Sequence, residues 1–221
     1  MSFEIYSEES NVIGFYDYTM ICAKMSARHG NCIRRQGHQR SIYFNQDINY
    51  LVDMSGDKNV NHDRYSINIY DRDIHHMILN KQSNRDGTIY RQYTYLTVPQ
   101  CESIIHKDIG WMKNSDQPLF RDLYLEMTIN QKWPGVVVDC RRQVFEIGRG
   151  GDYLIFDREI ESTYDIRLES KKAEDLAGES FAMEPRLEPQ KVIMTYRQGI
   201  GIPKVLTNII DMSHNYRAVG N

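Results

Sequence analysis

Arg64, Ser66, Asn68 and Tyr70 are the polar members of a strictly alternating run whose other members are Tyr65, Ile67 and Ile69. A period of two places the polar four on one face of a strand. On an open sheet facing solvent they are arbitrary surface residues. In a closed barrel they line the inside, and Tyr65, Ile67 and Ile69 pack outward against helices. Alternation alone leaves both arrangements open. Inside a barrel, a guanidinium offers paired N–H donors that match phosphate oxygens.

Other reactive residue types lack a productive spacing. Cys22, Cys32, Cys101 and Cys140 are far apart, form no CxxC pair and make no zinc pattern with His75, His76 or His106. They read as reduced thiols of a cytoplasmic protein. His75-His76 lacks a third ligand at metal spacing and reads as exposed strand histidines. Gly148-Arg-Gly-Gly151 lies between two strand patterns without a following GK[ST], so it is a hairpin turn rather than a phosphate loop.

The elements that must position the alternating run follow from local pattern. Residues 10–28 carry apolar groups at near-helical spacing and predict a helix; Arg28 to Arg40 reads as a basic loop. Strands are predicted over Arg40–Asn45, Arg64–Asp71, Ile74–Gln82 and Thr88–Leu96, the last pair joined through Asn-Arg-Asp-Gly. Helices are predicted over Val98–His106, with Thr97 as cap, and over Pro118–Asn130. Val136–Ile147 and Tyr153–Ser162 form a long hairpin. Residues 170–190 are charged and proline-bearing and are expected to be a mobile loop. Lys191–Gln198 is a final strand, and Pro203 opens a last helix over Lys204–Met212.

Several antiparallel strands with helices between them make an α+β fold. The 221 residues suit a single domain over 1–221. Seven Phe, 15 Tyr and 2 Trp suit pleated surfaces. No stretch approaches the roughly 20 apolar residues of a membrane span, so no membrane segment is expected. A net charge of −3 argues against nucleic acid as a partner, yet 27 Lys and Arg allow a cationic interior.

The motifs and their order resemble the VTC-type polyphosphate polymerase domain, a branch of the triphosphate tunnel fold. Its "R-S-L-Y-F-D" strand is matched by Arg40-Ser-Ile-Tyr-Phe-Asn45, and its "K-F-R-I-R-I-Y" by Arg64-Tyr-Ser-Ile-Asn-Ile-Tyr70. Its "L-E-K-K" corresponds to Leu79-Asn-Lys-Gln82, and its "Y-K-E-S-A-x-L-T" to Tyr90-Arg-Gln-Tyr-Thr-Tyr-Leu-Thr97. Pro134 to Phe145 matches "P-K-V-I-V-D-Y-D-R-E-A-F", and Tyr153 to Ile160 matches "R-I-T-F-D-R-x-I". Residues 40–165 carry the resemblance.

The resemblance implies an antiparallel barrel-like tunnel flanked by helices and lined with cations that grip a row of phosphates. It also implies a glutamate that helps hold Mg2+ or Mn2+, and transfer of a nucleotide γ-phosphate to a polyphosphate chain. The family's cations carry over to Arg64, Arg91, Arg142 and Arg197, which are the candidate phosphate-binding residues. Lys81 also matches, but alternation points it outward, and Arg158 is expected in a structural ion pair.

The departures fall on the chemistry. Family arginines are replaced by Ser66, Asn68 and Tyr153, a glutamate by Asn80, a lysine by Gln82 and a tyrosine by Cys140. In the last strand the most natural register turns Thr195 and Arg197 inward, and a slide of one residue turns Met194 and Tyr196 inward; neither keeps a carboxylate. The family's late "S-K-Y" has no match at its spacing. No catalytic residue and no metal ligand is therefore assigned. Three functions follow as expectations. One is a tunnel binding phosphate, polyphosphate or a nucleotide with little or no catalysis. The second is an active metal-dependent phosphotransferase that draws carboxylates from Asp157 or Asp139. The third is an interaction scaffold whose tunnel is filled by Tyr70, Tyr93, Tyr153 and Tyr196.

Overall fold

The structure, a computed structural model, describes residues 2–29, 33–44, 62–147, 151–164, 168–178 and 181–198. Its strands are β1 (Ser2–Gly14), β2 (Ile33–Phe44), β3 (His62–Tyr70), β4 (Met77–Arg85), β5 (Thr88–Leu96), β6 (Pro134–Ile147), β7 (Asp152–Tyr164), β8 (Glu184–Pro185) and β9 (Lys191–Gln198). Its helices are α1 (Phe15–His29), α2 (Val98–Ile105), α3 (Pro118–Thr128) and α4 (Ala173–Ala177). Neighbouring strands run antiparallel in the order β6-β2-β3-β4-β5-β1-β9-β7, and β7 pairs back onto β6. That last pairing closes an eight-stranded barrel and removes its edges. The two-residue β8 continues along β7 where β9 has ended.

The outer wall is the apolar one, which inverts the layering of a filled barrel. On one side Ile42, Phe44, Tyr65, Ile67, Ile69 and Leu79 meet Ile104 and Ile105 of α2 and Leu119, Leu123 and Met127 of α3. Opposite, Tyr18, Ile21 and Met25 of α1 cover Phe145, Leu154, Phe156, Val192 and Met194. Each fully buried aliphatic side chain in these layers contributes about 1.5–3 kcal/mol. The outer faces of β2, β3, β6, β7 and β9 are thereby fixed, and a one-residue slip would put these side chains into the lumen.

Several elements lie where local pattern placed them. β5 and β9 match in full. α2 starts with the Thr97 side chain accepting from Gln100 N–H, in a reciprocal capping box. The β4–β5 hairpin turns on Asp86 and Gly87, both at positive φ. Residues 10–28 are different: the strand β1 runs to Gly14, and the helix α1 begins only at Phe15. β1 changes partner midway, with Ser2–Tyr6 on β5 and Ser7–Gly14 on β9. The expected loop before Arg40 is instead strand from Ile33, hydrogen-bonded to β6 along its length. At Gly37 a Cβ would lie 2.1 Å from Asp71 Oδ1, the acceptor for His38 N–H, so a larger residue there would displace that carboxylate. His75 and His76 are exposed, as expected, but sit in a 3-10 turn ahead of β4.

Residues 170–190, expected as a mobile loop, include α4, whose Ala173, Leu176 and Ala177 are buried. Arg40 ties this segment to the barrel: its Nη1 donates to Leu176 O at 2.7 Å and also to Gly178 O, while Nε and Nη2 hold Asp139. Cys32, residues 148–150 of the turn expected over 148–151 and the helix predicted over 204–212 lie outside the described residues.

Candidate functional site: an arginine-lined tunnel

With helices packed on two sides of the outer wall, the inward side chains of the strands surround a cavity of about 500 Å³. Arg64, Ser66, Asn68 and Tyr70 of β3 line it, as do Arg91 of β5, Arg142 of β6 and Arg197 of β9. All four candidate arginines thus reach one lumen. Thr195 and Arg197 face inward while Met194 and Tyr196 pack outside, which settles the register of β9. Lys81 points outward to Asp63, at 3.1 Å, and to Asp122. Arg158 lies under α1, its guanidinium 5.1 Å from the centre of the Tyr18 ring; the expected ion pair is not seen among the described residues.

Residues not anticipated from the sequence also enter. Arg34 and Arg35 arrive on the unexpected part of β2, and Glu4, Tyr6 and Glu8 on β1. Among the described residues the lumen then holds six arginines against three carboxylates, Glu4, Glu8 and Asp157. A chain of net charge −3 therefore concentrates positive charge in its interior. The signal for β1 was present as alternation of Phe3 and Ile5 with Glu4 and Tyr6. It fades at Ser7, where the strand changes partner.

The arginines are held in two different ways. Arg142 makes a two-pronged pair with Asp157, Nε to Oδ1 at 2.6 Å and Nη2 to Oδ2 at 2.7 Å. Burial alone would lower the Arg142 pKa, but the Asp157 carboxylate overrides it and holds the guanidinium well above its ordinary value. Arg91 Nε donates to Asn80 Oδ1 at 2.6 Å, and Arg197 stacks 3.6 Å from the centre of the Tyr6 ring. Both reach the same oxygen, Glu4 Oε2, at 3.3 Å. Arg35 stacks on Tyr70 at 3.9 Å, and Arg34 donates to the Tyr153 hydroxyl at 2.9 Å. Tyr6 itself stays a neutral phenol, its pKa raised by burial and then by Glu8.

Among the described residues the lumen offers no activated thiol. Cys140 lines it, but burial and the neighbouring Asp157 push its thiol well above the ordinary value. Burial raises Cys22 as well, and Cys101 to about 12. Asp139 lies outside the cavity lining, bound to Arg40 and, at 3.3 Å, to His38. The divalent metal that the sequence resemblance implies does not fit the described donors. Two of the three lumen carboxylates are already bound to arginines, and among the described residues no group of three His, Cys, Asp or Glu side chains converges. No described helix is long and apolar enough to cross a membrane.

Neither a family model nor a curated protein sequence matches the chain. Solved structures do. A candidate adenylate cyclase from Bacillus halodurans aligns over 98% of this chain and 92% of its own, at 12% identity and a TM-score of 0.54. A candidate adenylyl cyclase from Hippeastrum, with a dominant triphosphatase activity, aligns over 98% and 88% at 12% identity and a TM-score of 0.49. The PH1012 protein of Pyrococcus horikoshii aligns over 95% and 88% at 10% identity and 0.48. At 12% identity the likeness to the Bacillus protein is one of fold: the chain is a closed antiparallel tunnel flanked by helices.

Proposed function

We propose that this barrel binds a phosphate-rich anion, a short polyphosphate or the triphosphate of a nucleotide, with little or no catalysis. The observation that carries the reading is the excess of arginine over carboxylate in a ligand-sized lumen. Pockets for small ligands commonly span about 300–1,000 Å³. Binding a phosphate chain requires fixed positive charge and donors more than covalent chemistry. Arg91, Arg197 and Arg64 supply direct contacts. Arg142 contributes mainly through its charge and by shaping the wall, since two of its three nitrogens are committed to Asp157. A nucleotide-type ligand agrees with the assignment of the Bacillus protein as a candidate adenylate cyclase. Placement in the VTC-type branch rests on the strand motifs alone.

Weak catalysis follows from what replaces the family's charged positions. Ser66, Asn68, Asn80, Gln82 and Tyr153 line the lumen as neutral groups. The two carboxylates considered for a rebuilt site are both engaged, Asp157 by Arg142 and Asp139 by Arg40. One observation favours the scaffold reading in part: Tyr70, Tyr93 and Tyr153 line the lumen, and Arg142 is satisfied internally. Tyr196, the fourth tyrosine of that reading, packs outside.

Thermal unfolding with tripolyphosphate decides between them. A ligand specific for the native state stabilises it by about 2.7 kcal/mol at 100 times its Kd. The melting temperature should rise with tripolyphosphate and not with sulfate at equal ionic strength. No rise with tripolyphosphate, ATP or inorganic phosphate supports the scaffold.

A further inference from the structure

The two arginine–carboxylate contacts in the lumen differ in kind. The Arg142–Asp157 pair has distances of 2.6 and 2.7 Å, those of a strong charge-assisted bond. Glu4 Oε2 lies 3.3 Å from both Arg91 Nη1 and Arg197 Nη1, beyond that range, and the Glu4 side chain is 36% exposed. The guanidiniums around it have other supports as well. Asn80 fixes Arg91 through a 2.6 Å bond, and the Tyr6 ring carries Arg197. Arg197 Nε is buried and has no hydrogen-bond acceptor among the described residues. A buried donor of that kind costs free energy until an acceptor reaches it.

We infer that Glu4 is a resident anion in a preformed two-arginine clamp, and that an incoming phosphate group displaces it without a divalent metal. The inference rests on reading the tunnel as a phosphate site. Glu4 sits directly opposite Arg91 in the β1–β5 ladder, and Arg197 enters from the other neighbour of β1, so both guanidiniums bracket one carboxylate. A phosphate group offers more acceptor oxygens to the same donors than the single Glu4 oxygen now shared between them. A divalent cation at Glu4 would instead meet two guanidiniums already in contact with the oxygen it needs. Glu4 therefore competes with the ligand rather than recruiting metal for it. Opposite signs follow for its removal: a competitor's loss tightens binding, whereas a metal ligand's loss weakens it.

The test is calorimetric titration of tripolyphosphate at fixed ionic strength, in EDTA and in MnCl2, into the wild type, Glu4→Gln and Glu8→Gln. The expected result is wild-type binding in EDTA, tightened about fivefold or more by Glu4→Gln and clearly less by Glu8→Gln. Binding that requires Mn2+ and weakens in Glu4→Gln overturns the inference and makes Glu4 a metal ligand. Equal gains from both variants also overturn it, reducing the effect to net charge. Absence of binding by all three proteins in both conditions overturns the underlying reading of the tunnel, and the inference with it.

Discussion

Arg142 and Asp157 stand directly opposite each other in the β6–β7 ladder, and their side chains meet in the lumen through two contacts of 2.6 and 2.7 Å. Both come from strands whose outer faces are pinned under α1, since Phe145, Leu154 and Phe156 are fully buried there. The pair is accordingly held by the fold and in turn satisfies a charge that would otherwise lie unpaired in the wall.

Removing one partner should be costly. Arg142→Ala is expected to destabilise the protein by about 2–4 kcal/mol, with a smaller added cost when Asp157→Ala is combined with it. Urea unfolding of the two single variants and the double variant measures this coupling. Additive losses, or a loss under about 0.5 kcal/mol for Arg142→Ala, would mean that the pair is incidental.

A second ionic network lies outside the lumen and should control acid stability. Burial alone would raise the Asp139 pKa, but Arg40 and His38 override it and lower it below the ordinary carboxylate value. A carboxylate with a depressed folded pKa stabilises the native state fully above its unfolded value, about 3.9, and that gain is lost as pH falls through the folded value. Between pH 7 and pH 3 the wild type should therefore lose more stability than Asp139→Asn, measured from urea midpoints at each pH. Equal losses would contradict the assignment. The same substitution should loosen residues 173–178, because Arg40 holds Leu176 and Gly178 only while Asp139 orients it.

How much of this was legible in the sequence depends on which half of each strand carried the apolar side. The β3 pattern was clear because Tyr65, Ile67 and Ile69 alternate with polar groups and are wholly buried. β2 between Ile33 and Gln39 has no such face: Arg34, Arg35 and Gln39 turn into the lumen, so the segment reads as a polar loop although it pairs with β6 on both sides of a bulge at Arg34. β1 was hidden because Phe3 and Ile5 are half exposed and its partner changes at Ser7. Both missed segments bring in lumen charges: local pattern points to Arg64, Arg91, Arg142 and Arg197, but not to Arg34, Arg35 or the Glu4 carboxylate beside them. Nor could alternation reveal that Asp157 meets Arg142, since register across the β6–β7 bulge is set in three dimensions.

A specific anion site made by inward arginines is distinguished from diffuse attraction by titrating tripolyphosphate into the wild type, Arg197→Ala and Arg141→Ala at matched salt. Arg197 lies in the lumen, whereas Arg141, beside Arg142 on β6, projects outward toward Glu159 at 3.6 Å. Arg197→Ala is expected to weaken binding about tenfold or more while Arg141→Ala changes it little. Equal weakening by the two substitutions would contradict it, showing attraction to the surface as a whole rather than to the tunnel.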